Sequence, residues 1–476
     1  MSQPLKKEVS GEAAQAAHKT GIDLLVAGKV EEAIKSFHEA LRLDINLASA
    51  WANLGIALRK LGKLEASAAC SQRAIALSPQ NPFYHANYGN CLIELNRQDE
   101  AFAAYAEALR CKPDEFTLRY NYALSLRDAE RLEEAAALLE KLLKEKPGDV
   151  EITWDAALTQ LQLGNLKDGW EAFEIRWQRP SMARERVYKT APRWHGEDIS
   201  GKTVLVYEEQ GFGDTILCSR YIPLIAARGG KVILECKPQL HKLFSTINGI
   251  TRMAEAGQVV SGFDYHVPMM SLPRIFNTGL SSIPSPPPLL YAAPALSPAS
   301  SRLLALGQSR LKVGIVWSGN TAFLANKKRA VDITRFLPLA AVPNVQLYSL
   351  QKGPCEKDIA ACGAEGLILP LGPELNDFSE TAAVLKQLDL VIMTDSSVAH
   401  LAGSIGCPVW NLLSVGAYWL YLREREDSPW YSSMRLFRQP KPGDWDSVFK
   451  KVAAELEKAV ALKKSGVWPW PASLSS

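Results

Sequence analysis

The stretch LDLVIMTDSSVAHLAGSIG, Leu388 to Gly406, decides how the chain is read. Its LVIM run is short, apolar and rich in branched residues, as expected of a strand buried on both faces of a parallel sheet. Asp395, Ser396 and Ser397 end that run and can cap a helix. VAHLAGSI, Val398 to Ile405, predicts that helix, which Gly406-Cys407-Pro408 stops before a second apolar run, VWNLL. Strand, polar turn, helix and strand make one βαβ unit. In such units ligands sit at the carboxyl ends of the strands, where free N–H groups and the positive helix end favour a phosphate or carboxylate. Asp395 and His400 thus point towards a candidate anion site. The plainer reading is that Asp395 and Ser396 cap the helix and His400 packs.

A chain of 476 residues is longer than one hydrophobic core supports, so two or three domains are expected. A charged fraction of 22% and a net charge of +3 carry no signature of nucleic-acid binding. The eight cysteines are scattered, with no CxxC pair and no zinc-ligand spacing, which fits reduced thiols in a cytoplasmic protein. The beginning, MSQPLKKEVSGEAAQ, has no apolar core of a signal peptide, and no run of about 18 apolar residues occurs. The expectation is a cytoplasmic chain that neither spans a membrane nor is exported.

A shift of 34 residues exposes a repeat over residues 12–175. One copy runs through Trp51, Leu54, Gly55, Leu58, Gly62, Ala74 and Pro79. The next has Tyr88, Gly89, Leu92, Ala101, Tyr105, Ala108 and Pro113, and a third keeps Leu126, Ala135 and Pro147. Backwards stand Gly21, Leu24, Gly28, Ala33 and Ala40, while a fifth, incomplete copy keeps Gly164 and Phe173. The pattern resembles the tetratricopeptide repeat, in which small residues let two helices cross closely and proline closes the unit. Such arrays stack into a superhelix whose concave face takes a peptide or another domain, or they simply scaffold the domain behind them. No asparagine ladder recurs at one repeat position, unlike the peptide-reading groove of nucleocytoplasmic O-GlcNAc transferases.

Residues 176–200 form a basic connector: Arg176, Arg179, Arg184, Arg186, Lys189 and Arg193 stand against Glu185, without helical or strand period. A solvated linker is expected, with contact to anionic lipid, peripheral to the inner membrane, or to an anionic acceptor as the alternative. A first α/β half comes next, over residues 201–300. TVLVYEEQ is a strand, GFGD a turn, TILCSRYIPLIAARGG a helix, KVILEC the next strand, KPQLHKLFSTI a helix and FDYHVPMMSLP a short strand. Gly211 and Gly213 permit backbone approach to a ligand, but the third glycine of a dinucleotide fingerprint is missing, which disfavours NAD. Asp214 either stabilises the helix dipole or stands as a carboxylate beside an open cleft, placed to take a proton from an incoming hydroxyl. IPSPPPLLYAAPALSPASS, Ile283 to Ser301, reads as an interdomain linker.

The second half, residues 301–476, repeats the pattern. LKVGIVWSGN is a strand and turn, a basic run Asn326 to Arg329 precedes the helix ITRFLPLA, and VQLYSLQKG is a strand ending at Gln351-Lys352. LILPLG, the helix DFSETAAVLKQL and the opening stretch complete it. Two α/β halves suggest a cleft between facing sheets, to which strand ends supply Ser318 to Asn320, Gln351, Lys352, Asp395 and His400. Arg329 and Lys352 are placed to neutralise a diphosphate, and the N–H groups of Ser396 and Ser397 to bind its oxygens.

VGIVWSGN, the basic residue before a helix ending in PLA, SLQKG and TDSSVAHLAGSIGCPVW resemble the heptosyltransferase family of GT-B glycosyltransferases. EEQGFGDTILCSRYIPLIAARGG, FDYHVPMMSLP and REDSPWYSSMRLFRQ are similar to its bacterial branch fused to tetratricopeptide repeats. The resemblance covers almost everything after about residue 15. It implies an all-α repeat superhelix followed by two Rossmann-like α/β domains. It implies a general base at Asp214, and sugar-nucleotide binding at Asp395, Ser396 and His400, with Arg329 on the diphosphate. Ser397 departs from the glycine usual after the Asp-Thr pair. The implied activity is glycosyl transfer from a nucleotide-diphosphate sugar, without metal, to a glycan, lipid-linked or protein hydroxyl, the array recruiting acceptor or partner. Asp444-Trp445-Asp446 imitates a metal-binding DxD but opens the last helix, where capping is expected. In REDSPWY, Arg425 and Asp427 are expected to pair internally, and Trp430 and Tyr431 to cover the core or line the cleft. The competing expectation is a non-catalytic repeat adaptor with a degenerate sugar-nucleotide fold. A dehydrogenase fails at the missing glycine.

Overall fold

The structure, a computed structural model, describes residues 3–179, 191–286, 296–323 and 326–467. The chain divides into two compact units, Met1–Thr159 and Gln160–Ser476. In the first, helices pair as α1 (Gln3–Val26) with α2 (Val30–Leu43), α3 (Ala48–Lys60) with α4 (Leu64–Leu77), α5 (Pro82–Glu94) with α6 (Gln98–Cys111), and α7 (Phe116–Asp128) with α8 (Leu132–Glu145). α9 (Val150–Gln162) leads out of this unit, and α10 (Leu166–Phe173) belongs to the second.

Packing accounts for the 34-residue period. A Cβ on Gly21 would come within 2.5 Å of the Phe37 ring, and one on Gly89 within 2.8 Å of Tyr105. Glycine on the first helix therefore lets an aromatic ring on the second fill the crossing. In the pair between them Gly55 faces Ser71 instead, and Ser67 Oγ donates to the Gly55 carbonyl at 2.7 Å. The turn repeats as well: Gly28, Gly62, Asn96, Glu130 and Gly164 all have positive φ. Bonds about one repeat apart tie neighbouring pairs together. His18 Nε2 lies 2.9 Å from Asn53 Nδ2, Arg59 donates to Glu94 at 2.6 Å, and Asp155 accepts from Tyr120 and, at 2.5 Å, from Arg127.

The second unit contains two parallel sheets, so the chain is an all-helical array followed by α/β architecture. The first sheet has β1 (Thr203–Tyr207), β2 (Lys231–Cys236), β3 (Ile250–Glu255) and β4 (Tyr265–Pro268) in the order β3-β2-β1-β4. The second has β5 (Leu311–Val316), β6 (Val345–Ser349), β7 (Ile368–Pro370), β8 (Leu390–Thr394), β9 (Val409–Leu413) and β10 (Met434–Arg438) in the order β10-β9-β8-β5-β6-β7. β8, the LVIMT run, is buried throughout, and Val313, Ile315, Ile392 and Leu412 pack with Val448, Val452 and Leu456 of the helix Trp445–Lys464. The order of connection reverses between β1 and β4 in one sheet and between β5 and β8 in the other. Each reversal opens a crevice at the carboxyl ends of its strands.

The connector departs from the solvated linker expected of its charges. Arg176 is fully buried and donates to Glu209 at 2.8 and 3.0 Å, to Glu174 at 2.7 Å and to Ser271 at 2.8 Å. Arg193 joins the same network through Glu174 and Ser271. A guanidinium leaves water when several acceptors converge on it, and here they come from three separate segments. Arg184, Arg186 and Lys189 lie outside the described residues, as do residues 287–295 of the proline-rich stretch. Asp444 caps the last helix at Ser447 N–H (3.1 Å) and Asp446 pairs with Arg335, so both DxD carboxylates are occupied structurally. Arg425 pairs with Asp427 as expected. Among the described residues no helix is long and apolar enough to cross a membrane.

Candidate functional site

Three carboxylates follow β1 in the run EEQGFGD, and they meet different fates. Glu208 pairs with Lys237 at 3.0 Å, and Glu209 is held by Arg176 and the Met270 N–H. Asp214 is held differently. It stands in the first turn of the helix Phe212–Cys218, where its Oδ2 accepts from the Gly211 N–H at 3.1 Å and its Oδ1 from the Tyr418 hydroxyl at 3.3 Å. Among the described residues no lysine or arginine lies within ion-pair distance of it. Burial, with Asp395 and Glu209 nearby, raises its pKa from 3.8 to about 6. At neutral pH it is therefore an ionised carboxylate of unusual basicity.

The facing half brings its groups to the β5–β8 crevice. After β5 the chain turns through Ser318, Gly319 and Asn320, and Gln351 from the end of β6 fixes that turn: its Oε1 accepts from Trp317 N–H (3.2 Å) and Ser318 N–H (3.0 Å), while its Nε2 donates to the Ser318 carbonyl. Gln351 is thereby fully used in holding the loop. Asn320 is exposed and caps its own turn at Ala322 N–H, and Asn326 Nδ2 donates to Ser318 Oγ at 3.0 Å. Gly319 lies beneath Arg329, whose Nη2 would be 2.9 Å from a Cβ at that position. Arg329 Nη1 reaches Asp395 Oδ2 at 3.3 Å, and Asp395 Oδ1 accepts from Tyr421 at 2.6 Å. Lys352, next to Gln351, has a half-exposed side chain whose ion-pair partner is Glu356, 3.9 Å away.

Among the described residues the helix Ser397–Ser404, which starts beside Asp395, has no side-chain cap, and the buried Ser396 Oγ has no hydrogen-bond partner. Its first-turn N–H groups carry the positive end of the helix dipole. His400 is buried, with Nδ1 3.1 Å from the Tyr431 hydroxyl, and burial lowers its pKa to about 4, so it is neutral at pH 7. The backbone of Gly213 lies against its ring, where a Cβ would be 2.8 Å from Cδ2. Asp214 and Gly213 from the first half thus meet Tyr418 and His400 from the second, while Asp395, Ser396, Ser397 and Arg329 gather beside them. Tyr418 and Tyr421 escape sequence reasoning because GAYWLYL lies in an aperiodic loop. Arg220 escapes it too: buried under the Trp430 and Tyr431 rings, it donates to the carbonyls of Trp430 (3.3 Å) and Pro284 (2.9 Å).

The tetratricopeptide repeat family matches this chain at residues 18–82, 53–116 and 120–175. Protein FlbA of Caulobacter vibrioides is 29% identical over 322 residues, a match that covers 62% of this chain and 53%, about half, of that protein. Among solved structures, a thermophilic tetratricopeptide repeat protein of Thermus thermophilus is 19% identical, covering 36% of this chain and 92% of its own, with a TM-score of 0.33. PilW, a type IV pilus biogenesis factor, is 20% identical, covering 35% and 78%, also with a TM-score of 0.33.

Proposed function

We propose that the second unit is a glycosyltransferase that moves a sugar from a nucleotide-diphosphate sugar to an acceptor hydroxyl, and that the tetratricopeptide array recruits the acceptor or a protein partner. The observation that carries this reading is Asp214. It is a carboxylate with no lysine or arginine at ion-pair distance among the described residues, raised to about 6, and it lies beside a crevice where Arg329, paired with Asp395, and an uncapped helix start offer positive charge. In the transfer, Asp214 takes the proton of the acceptor hydroxyl as that oxygen bonds to the anomeric carbon. The bond from that carbon to the diphosphate breaks, and the departing charge falls to Arg329 and the N–H groups at Ser397 and Val398. The acceptor is a glycan, a lipid-linked saccharide or a protein.

An adaptor with a degenerate fold explains less. Keeping a buried carboxylate with a raised pKa in such a place lowers stability, which binding by a repeat array does not require. The test is incubation of the purified protein with radiolabelled UDP-, GDP-, ADP- and CMP-sugars and fractionated cell extract. Labelled product from the wild type, and none from Asp214→Ala that still binds donor, supports the transferase. Undiminished transfer by the Asp214 variant would remove the base.

A further inference from the structure

We propose that Tyr418 is the positioning residue of Asp214: its hydroxyl, supplied by the second α/β half, fixes the carboxylate of the first and completes the base when the halves are together. Its purpose rests on the proposed transferase reading, but its test is made on ligand-free protein. The Gly211 N–H holds Oδ2 from within the same turn, which leaves Oδ1 to be fixed from outside, and the Tyr418 hydroxyl does so at 3.3 Å. This phenol is a permanent donor, since burial beside Asp214 pushes its own pKa well above the ordinary value.

Tyr418 is itself held by its neighbour. Trp419 meets Trp170 of α10 edge-on at 5.0 Å between ring centres and Trp430 at 5.7 Å. Leu422 and Glu424, just beyond, have positive φ (53° and 55°), a conformation that persists only where surroundings over-determine it. The helix that completes the repeat pattern in sequence is thus part of the wall behind the base. The other groups facing Asp214 are Asp395 and Glu209, whose charges disfavour its ionisation, Cys218 one turn along its helix, and neutral His400 behind Gly213. Glu209 is held by Arg176 away from Asp214's oxygens, and the Tyr418 hydroxyl donates directly to Oδ1, so its loss should be read most clearly.

The test is a carbon-13 NMR titration of aspartate carboxyls in the full chain, with the Asp214 signal assigned by its absence in Asp214→Asn. The wild-type signal is expected to titrate near pH 6. In Tyr418→Phe it should titrate higher by about half a pH unit or more, because a donor to the ionised form has been removed. If Tyr418→Phe does not fold, 3-fluorotyrosine at position 418 serves instead: its more acidic phenol donates more strongly, and the Asp214 midpoint should fall. A wild-type midpoint near the ordinary value of about 4 would overturn the proposal. So would a midpoint that stays put, or moves the opposite way, in the substituted protein. Failure of every nucleotide sugar to bind would remove the transfer reading and leave this result standing.

Discussion

Replacing Asp214 by asparagine should stabilise the second unit at neutral pH while abolishing transfer. The amide fits the site: its oxygen can accept from the Gly211 N–H, and its NH2 can donate to the Tyr418 oxygen once that hydroxyl turns away. What disappears is the cost of ionising a half-buried carboxyl. The folded-state pKa of about 6 lies above the ordinary 3.8, so between those values the folded chain holds a proton that the unfolded chain has released. Stability therefore falls as pH rises through that window, and the deficit is fully present above pH 6. A rise of roughly two pH units corresponds to about 3 kcal/mol, reduced to about 2 kcal/mol by partial access to water. For a unit of this size that is about 3 °C in melting temperature. Calorimetric melting of wild type and Asp214→Asn between about pH 4.5 and 8 should show a gain at the alkaline end that shrinks towards the acid end. An equal or lower melting temperature at the alkaline end, or a pH-independent difference, would refute the reasoning.

Other consequences are local. Glu209→Ala removes one of the two carboxylates on the buried Arg176 guanidinium, leaving Glu174, and should destabilise the second unit by about 2 kcal/mol, whereas Arg176→Met combined with Glu209→Leu should recover part of it; calorimetry of the three proteins checks this. Glu130→Gly relieves a left-handed turn residue (φ 60°) and should stabilise the repeat array by about 1 kcal/mol, read as a higher urea midpoint of its unfolding.

The two kinds of architecture were legible in the sequence for physical reasons. Gly21, Gly55 and Gly89 recur because two helices cross at each, and LVIM and TVLVY read as strands because both of their faces are covered. The strand ITRMAE, Ile250 to Glu255, did not, since it lies at a sheet edge with half its residues exposed and carries no apolar run. Glu130 sits where glycine stood in other repeats, so composition hides a conformation that the period of 34 preserves. Asp214, Asp395 and His400 could be singled out because strand ends and helix starts mark themselves locally. Tyr418 and Tyr421 could not, because their meaning lies in partners 204 and 26 residues away. The partners of Gln351 and Lys352 were not legible either: one holds the Ser318 loop and the other pairs with Glu356.

The central claim is that the β5–β8 crevice takes the diphosphate of a sugar donor. The most direct test is calorimetric titration of the full chain with UDP-, GDP-, ADP- and CMP-sugars. One of them should bind the wild type, Arg329→Ala should weaken it by about tenfold or more, and Lys352→Ala should leave it unchanged. A folded wild type that binds none of them, or an Arg329→Ala variant that binds as tightly as the wild type, would contradict the claim.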